Sequence, residues 1–485
     1  MAPTLLHFNG INGLTGKPLL PAKTPAQLID WIRGADDHEA EAVKGANLTT
    51  YQARIKNAAV GVRGVVKGFN VYDLNAANSA RWGVIFHPDT PSAVRATLQP
   101  LIDARQGQVL EYDPVRHGDD ALVFRADYKQ DPGLVNPDNL PYYLLIVASP
   151  EQISYKFQCS LDAQHAVGRL YFETPDEYES YVTRLLAYEK APSRQRRAVF
   201  FAPQNDVDRA TFLSANYLAE PLVKALQASK VVNQPFKYDF FTGDTAKRDV
   251  LLDALTRTHD QPALVFTATH GLGYPKEQSA LQRTRQGALL CGEWTEAADA
   301  VPASVIPDSA FLAGEHITSA HACDGLIVFA FGCYTAGTPR LDDFSHLADQ
   351  TPLELAAQPL LSYLPQRLLA QGTLAFIGHV DRAWDYSFIF KGVGQSIGTF
   401  KSGLEGILSG EPIGYAFEAF NQRWLDLAQA VTQHNEQSLL AKYLKGYAVD
   451  VEQLVYYWTA HNDARAYVIF GDPFVRLQPD RLSAA

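Results

Sequence analysis

The 485-residue chain holds only four cysteines, Cys159, Cys291, Cys323 and Cys333, and they are scattered. Thiols so sparse do not make the framework of a small disulfide-stapled domain. No CxxC pair is present. His316, His321 and Cys323 in "GEHITSAHACDG" therefore lack the fourth ligand of a structural zinc, and no metal is expected. No apolar run reaches membrane-spanning length. The start, "MAPTLLHFNGINGLTGKPLL", lacks the basic stretch and long apolar segment of a secretory signal. The expectation is a reducing, cytoplasmic setting without a membrane partner. Positive charge is scarce too. A net charge of -11 disfavours a grip on nucleic acid or anionic lipid. There is no tandem repeat, no low-complexity tract and no Walker-type phosphate loop, and "GFNVYDLNAAN" is not a dinucleotide fingerprint, so no cofactor is expected.

What is present reads as an ordinary globular protein, 47% apolar and 20% charged. The length argues for more than one core. Residues 1-65 are the least regular and form an N-terminal extension, with one or two polar-faced helices in "TPAQLIDWIRGADDHEAEAVKGA". From 66 to 192 the pattern predicts a smaller α/β subdomain. "FNVYDL", "RWGVIFHP", "ALVFRADY" and "YYLLIVAS" read as strands. "PSAVRATLQPLIDARQG" and "DEYESYVTRLLAYEKA" read as helices. "PSRQRR" reads as a junction. From 196 to 480 the alternation is regular. "RAVFFAP", "FKYDFFT", "ALVFTAT", "LIVFAF", "TLAFIGHV" and "RAYVIFG" are expected strands; "RATFLSANYLAEPLVKALQ", "KRDVLLDALTR" and "PLELAAQPLLSYLPQRLLAQG" are expected helices. Near-continuous apolar strands between helices predict a mostly parallel sheet flanked by helices, an α/β fold.

Two strand ends stand out. "VFTATHGLGY" runs a strand into His270 and Gly271, and "VFAFGCYTAG" runs one into Gly332 and Cys333. In a parallel sheet both ends share one edge, where open α/β sheets place their sites. A base beside a thiol raises its thiolate fraction, and the thiolate is the nucleophile. Gly271 lets its N–H approach a reacting carbonyl unobstructed, and with the N–H of Cys333 it could form an oxyanion hole. Each half alone has a plain structural explanation, a turn histidine and a core cysteine. Together, at two ends of one sheet, they favour chemistry.

"FTATHG" followed by "FAFGCYTAG" resembles the His and Cys blocks of the caspase-like cysteine peptidases of clan CD. "VGRL" followed by a helix ending in "YE", the late strand "YVIFGDPFVRL", and "LAFIGHVDRAW" are similar to the gingipain-type branch of that clan. The likeness runs from about residue 70 to 480. It implies a cysteine endopeptidase with Cys333 as nucleophile, His270 as general acid and base, and Gly271 with Cys333 as oxyanion hole. It implies a protein or peptide substrate, with an activating protease or regulatory protein as a further partner. A silent caspase-fold scaffold, or a thiol acyl-transfer enzyme acting on another amide, is the alternative.

The stretch 274–325 is longer than the compact pattern. It would be a lid, a solvated loop, or a cleavable zymogen loop, with Arg283 and Arg285 as cut points. A basic P1 side chain would need a carboxylate in the pocket. Clostripain-like members carry one two positions before the Cys, where this chain has Phe331. Gingipain-like members place one after the first catalytic strand, where "APQNDVDRA" offers Asp206 and Asp208. "GHVDRAW" offers Asp381, with Trp384 as a flat wall. Asp206 or Asp208 would equally cap the next helix. Asp381 would equally pair with Arg382. Cys159 and Cys291 are expected to be structural, and Asp472 to set a turn.

Overall fold

The computed structural model describes Leu5, His7, residues 9–24, Gln27, Asp73 and residues 77–205, 208–257, 259–294, 306–344, 353–443 and 450–485. In chain order the strands are β1 (Gly10–Asn12), β2 (Trp82–Phe86), β3 (Gln108–Glu111), β4 (Tyr143–Val147), β5 (Ala166–Leu170), β6 (Gln195–Ala202), β7 (Lys237–Thr242), β8 (Pro262–Ala268) and β9 (Gly271–Gly273). There follow β10 (Leu289–Leu290), β11 (Phe311–Leu312), β12 (Ile327–Phe331), β13 (Gly337–Thr338), β14 (Leu360–Leu361), β15 (Ala375–His379), β16 (Ile389–Phe390), β17 (Gly394–Gln395) and β18 (Tyr467–Gly471).

Ten strands form one sheet in the order β3-β2-β4-β5-β18-β15-β12-β8-β6-β7. Every residue of β2, β4, β5, β8, β12, β15 and β18 is buried. Both faces are therefore covered, which is why these strands read as continuous apolar runs. Neighbours run parallel, except that β15 and β18 pair antiparallel among the described residues. The two five-strand halves thus point in opposite directions, and the last strand stitches them together. β1, β9, β10 and β11 make a second small sheet. No helix among the described residues is long and apolar enough to cross a membrane.

Most expected elements appear, and the exceptions have local causes. "ALVFRADY" is not a strand but the helix Ala121–Asp127, because Asp120 caps it by accepting from the N–H of Leu122 and Val123. The strand that this stretch was expected to supply is β3, with only Leu110 buried. "PLELAAQPLLSYLPQRLLAQG" is helical only over Tyr363–Ala370, since Leu360 and Leu361 pair with Thr338 and Gly337 instead. "PSRQRR" is not a free junction. Arg194 is buried and donates to Pro262 O at 2.9 Å, and Arg197 pairs with Asp239 inside the sheet. "FNVYDL", apart from Asp73, and the expected helix at 24–46, apart from Thr24 and Gln27, lie outside the described residues. Asp472 does set a turn, accepting from Phe474 N at 2.9 Å. It also accepts from Trp82 Nε1 at 2.8 Å and Arg105 Nε at 2.9 Å, tying β2 and its helix to the end of β18.

Candidate active site

β8 and β12 are neighbours in register, with Ala268 opposite Phe331. His270 and Cys333 each stand two residues beyond that pair, on the same edge. Thr269 N donates to Phe331 O at 3.1 Å, carrying the ladder one step further. Gly271 then lies against the Cys333 backbone. A Cβ there would fall 1.7 Å from Cys333 O, so the approach requires glycine.

The half of the sheet that carries them is ordered β7-β6-β8-β12-β15. The chain reverses direction across the sheet between β6 and β8, which is where crevices open at carboxyl ends. The loop after β6 brings Asp208 to that crevice. Its carboxylate caps the helix Arg209–Leu213, accepting from Ala210 N at 3.2 Å and from Thr211 Oγ1 at 2.8 Å. It also accepts from His270 Nε2 at 2.6 Å. Burial works against the ionised Asp208, but the His270 charge and these hydrogen bonds outweigh it and hold its pKa well below the usual carboxylate range. His270 is buried, and its Nδ1 has no hydrogen-bond partner among the described residues. The imidazole is thus oriented on one nitrogen and open on the other.

Cys333 is fully buried, and its Sγ accepts from Ala383 N at 3.2 Å. Burial pushes the thiol pKa far up, only partly offset by that N–H, so the resting sulfur is protonated. The cover is the chain's own early segment. Asn9 O accepts from Cys333 N at 2.8 Å and from Gly271 N at 3.2 Å. Asn9 N donates to Ala383 O at 3.0 Å, and Asp385 N donates to His7 O at 3.1 Å. Beyond Asn9 the chain continues as β1, parallel to β9 with Gly10 opposite Gly271. Ile11 is buried in an apolar cluster with Leu272, Tyr274, Leu290, Trp294 and Phe311. Sequence reading missed this segment. Its signal is the small-residue run "NGING", which permits close approach to another backbone.

The other expected site residues separate. Asp206 lies outside the described residues. Asp208 is not a free pocket acid; it is the partner of His270 and a helix cap at once. Asp381 accepts from Arg382 N at 2.7 Å, and Arg382 also pairs with Asp342. Burial raises the Asp381 pKa. Asp381 borders a cavity of about 200 Å³ shared with Tyr155, Cys159, Asp343 and Arg465, which touches neither Cys333 nor His270. Trp384 lies between Ala383 and Asp385, the residues that hold the segment. Its ring, however, is buried between Phe344 and Tyr386 and is not an open wall.

Arg283 and Arg285 sit in the helix Ser279–Arg285. Arg285 pairs with Glu315 at 2.6 Å and Asp308 at 3.0 Å and lies over Phe311. A helical backbone does not offer the extended chain a protease needs, so the structure gives no support to cutting there. The long 274–325 stretch, where described, builds β10, β11 and that helix and is no simple loop. His316, His321 and Cys323 do not converge. Cys323 is buried, and His321 Nδ1 accepts from Thr318 N. Asp308, Glu315 and His316 do cluster, but Arg285 already neutralises the two acids.

No protein-family model matches the chain, and no curated protein matches it as a relative. Among solved structures, a chain described as a protease is similar at 14% identity, covering 83% of this chain and 79% of its own, with a TM-score of 0.47. The Arg-specific cysteine proteinase gingipain R is similar at 14% identity, covering 84% and 79%, with a TM-score of 0.44. The separase–securin complex of Saccharomyces cerevisiae is similar at 10% identity over 68% of this chain and 15% of that one, with a TM-score of 0.32. Likeness at these scores carries no argument about chemistry, which rests on the residues themselves. The chain is a mixed α/β protein built on a large, mostly parallel sheet flanked by helices.

Proposed function

We propose that the chain is a cysteine peptidase acting through Cys333 and His270. The observation that carries this reading is the convergence of two N–H groups, from Gly271 and Cys333, on one peptide carbonyl beside the thiol and a half-open imidazole. Those donors sit where negative charge develops when a carbonyl turns tetrahedral. In the reaction Cys333 Sγ attacks the carbonyl carbon and its proton passes to His270. The amide C–N bond breaks, and His270 returns the proton to the leaving amine. Water, deprotonated by His270, then cleaves the thioester and regenerates the thiol. Asp208 holds the ring in orientation and stabilises the imidazolium.

A basic P1 preference gains nothing from the acids in view, because Asp208 is bound to His270 and Asp381 to Arg382. Four unpaired cysteines suit a reducing compartment such as the cytoplasm. Peptide substrates reach Cys333 only when the Asn9 carbonyl vacates the Gly271 and Cys333 N–H groups. The test accordingly uses wild type and Ile11→Asp, which loosens β1 by burying a charge in its apolar seat. Both are offered peptide-coumarin substrates with Asn, Asp, Arg, Lys or Leu at P1. The expected result is turnover, faster in Ile11→Asp and abolished by Cys333→Ala. No turnover by either protein, both being folded, would overturn the reading and leave a binding scaffold.

A further inference from the structure

The carbonyl seated between Gly271 N and Cys333 N belongs to this chain. We propose that the Asn9–Gly10 bond is a processing site cut in cis by Cys333, and that the cleft selects asparagine before the scissile bond. The proposal rests on the peptidase reading above and adds its substrate chemistry.

Three features of the segment match a substrate. First, its backbone is held as an added strand. Asn9 N, Asn9 O and His7 O all bond to main-chain groups. Second, the residue after the bond must be small. A Cβ on Gly10 would lie 2.9 Å from Cys333 Sγ and 2.9 Å from Leu19 Cδ1. The sulfur is therefore in contact with the residue that would become the leaving amine. Third, the Asn9 side chain is 1% exposed and its Nδ2 points at Ser214 Oγ, a long contact of 3.4 Å. Ser214 starts a π-helical turn and donates its own proton to Thr211 O at 3.2 Å. Its hydroxyl therefore meets the substrate as an acceptor. A carboxamide supplies the matching donor. An aspartate would take Ser214's proton only at the cost of the Ser214–Thr211 bond, and a lysine or arginine would find no free carboxylate, since Asp208 is engaged by His270.

The step balances with one water. Cys333 Sγ bonds to the Asn9 carbonyl carbon, the C–N bond to Gly10 breaks, and the thiol proton reaches the Gly10 nitrogen through His270. Water then releases Asn9 as a carboxylic acid and restores the thiol. After the cut Gly10 stays in place. β1 remains paired with β9, Leu19 N donates to Gly10 O at 2.9 Å, and Asn12 N donates to Lys17 O at 2.8 Å. The chain ending at Asn9 then leaves, opening the unprimed half of the cleft to other substrates.

The full chain is incubated near neutral pH and followed by intact mass and amino-terminal sequencing. Wild type is expected to yield a chain beginning at Gly10, while Cys333→Ala stays whole. Asn9→Asp and Asn9→Arg are expected to be cut roughly 10-fold slower or worse. In trans, the Ile11→Asp protein should favour a Leu-His-Phe-Asn-coumarin peptide roughly 10-fold over its Asp, Arg and Lys counterparts, and Ser214→Ala should narrow that margin. Wild type remaining whole while it turns over other peptides through Cys333 would overturn this inference and spare the peptidase reading. Neither cutting nor turnover in any variant would overturn both. Equal cutting in Cys333→Ala would assign the break to unaided Asn–Gly chemistry and overturn it as well.

Discussion

The two halves of the sheet have the same strand order and opposite fates. From β3 through β2, β4 and β5 to β18, and from β7 through β6, β8 and β12 to β15, the second strand flanks the first on one side and the rest follow on the other. Each half therefore opens a crevice at its own carboxyl edge. In the first half a buried side chain ties the loops at that edge together. Arg169 of β5, fully buried, donates to Ala148 O at 2.9 Å, Ile153 O at 2.7 Å and Gln158 Oε1 at 2.7 Å. His87, just past β2, is committed to a turn, its Nδ1 accepting from Asp89 N at 3.2 Å. In the second half His270 keeps Nδ1 open, and the crevice is filled by a strand-like peptide instead of a built-in side chain. Topology supplies a crevice twice. In the function proposed above, chemistry belongs to the half whose crevice holds a peptide and whose histidine keeps one nitrogen unpaired.

The sharpest way to break this contrast is to remove each histidine. His270→Ala should lower kcat/KM for a peptide by roughly 10³-fold or more, whereas His87→Ala should change it less than about 2-fold. Equal losses would show that the halves do not differ as described. Asp208→Asn should cost roughly 10²-fold in kcat with KM little changed, because it orients the ring without touching substrate. Arg169→Met should leave kcat of the folded protein intact but lower unfolding stability by about 2–4 kcal/mol in urea, since buried carbonyls lose their donor. The smallest effect is in pH. The depressed Asp208 pKa contributes stability that is full above the unfolded aspartate value near 4. That contribution is lost as pH falls through the lower native value. The stability gap between wild type and Asp208→Asn should shrink as pH falls below about 4.

Much of this was readable from the chain. β8 and β12 announce themselves as apolar runs ending in His270-Gly271 and Gly332-Cys333, and parallel pairing alone puts those ends together. The duplicated strand order was not readable, because it resides in pairing across the sheet and leaves no repeat in the sequence. Asp208 was visible as a helix cap, but a cap that also holds a histidine needs the third dimension. Asp208 and Asp381 are not free pocket acids because each has a nearer partner, His270 and Arg382. The Asn9–Gly10 segment escaped because "FNGING" is too short and too small to register as structure, although closeness to Cys333 is what demands small residues there.

The most direct test is to label wild type with a peptidyl acyloxymethyl ketone ending in Asn and map the adduct by mass spectrometry. One modification on Cys333, absent in His270→Ala and never on Cys159, Cys291 or Cys323, is the predicted result. Labelling of another cysteine, or labelling of Cys333 that ignores the loss of His270, would contradict the account.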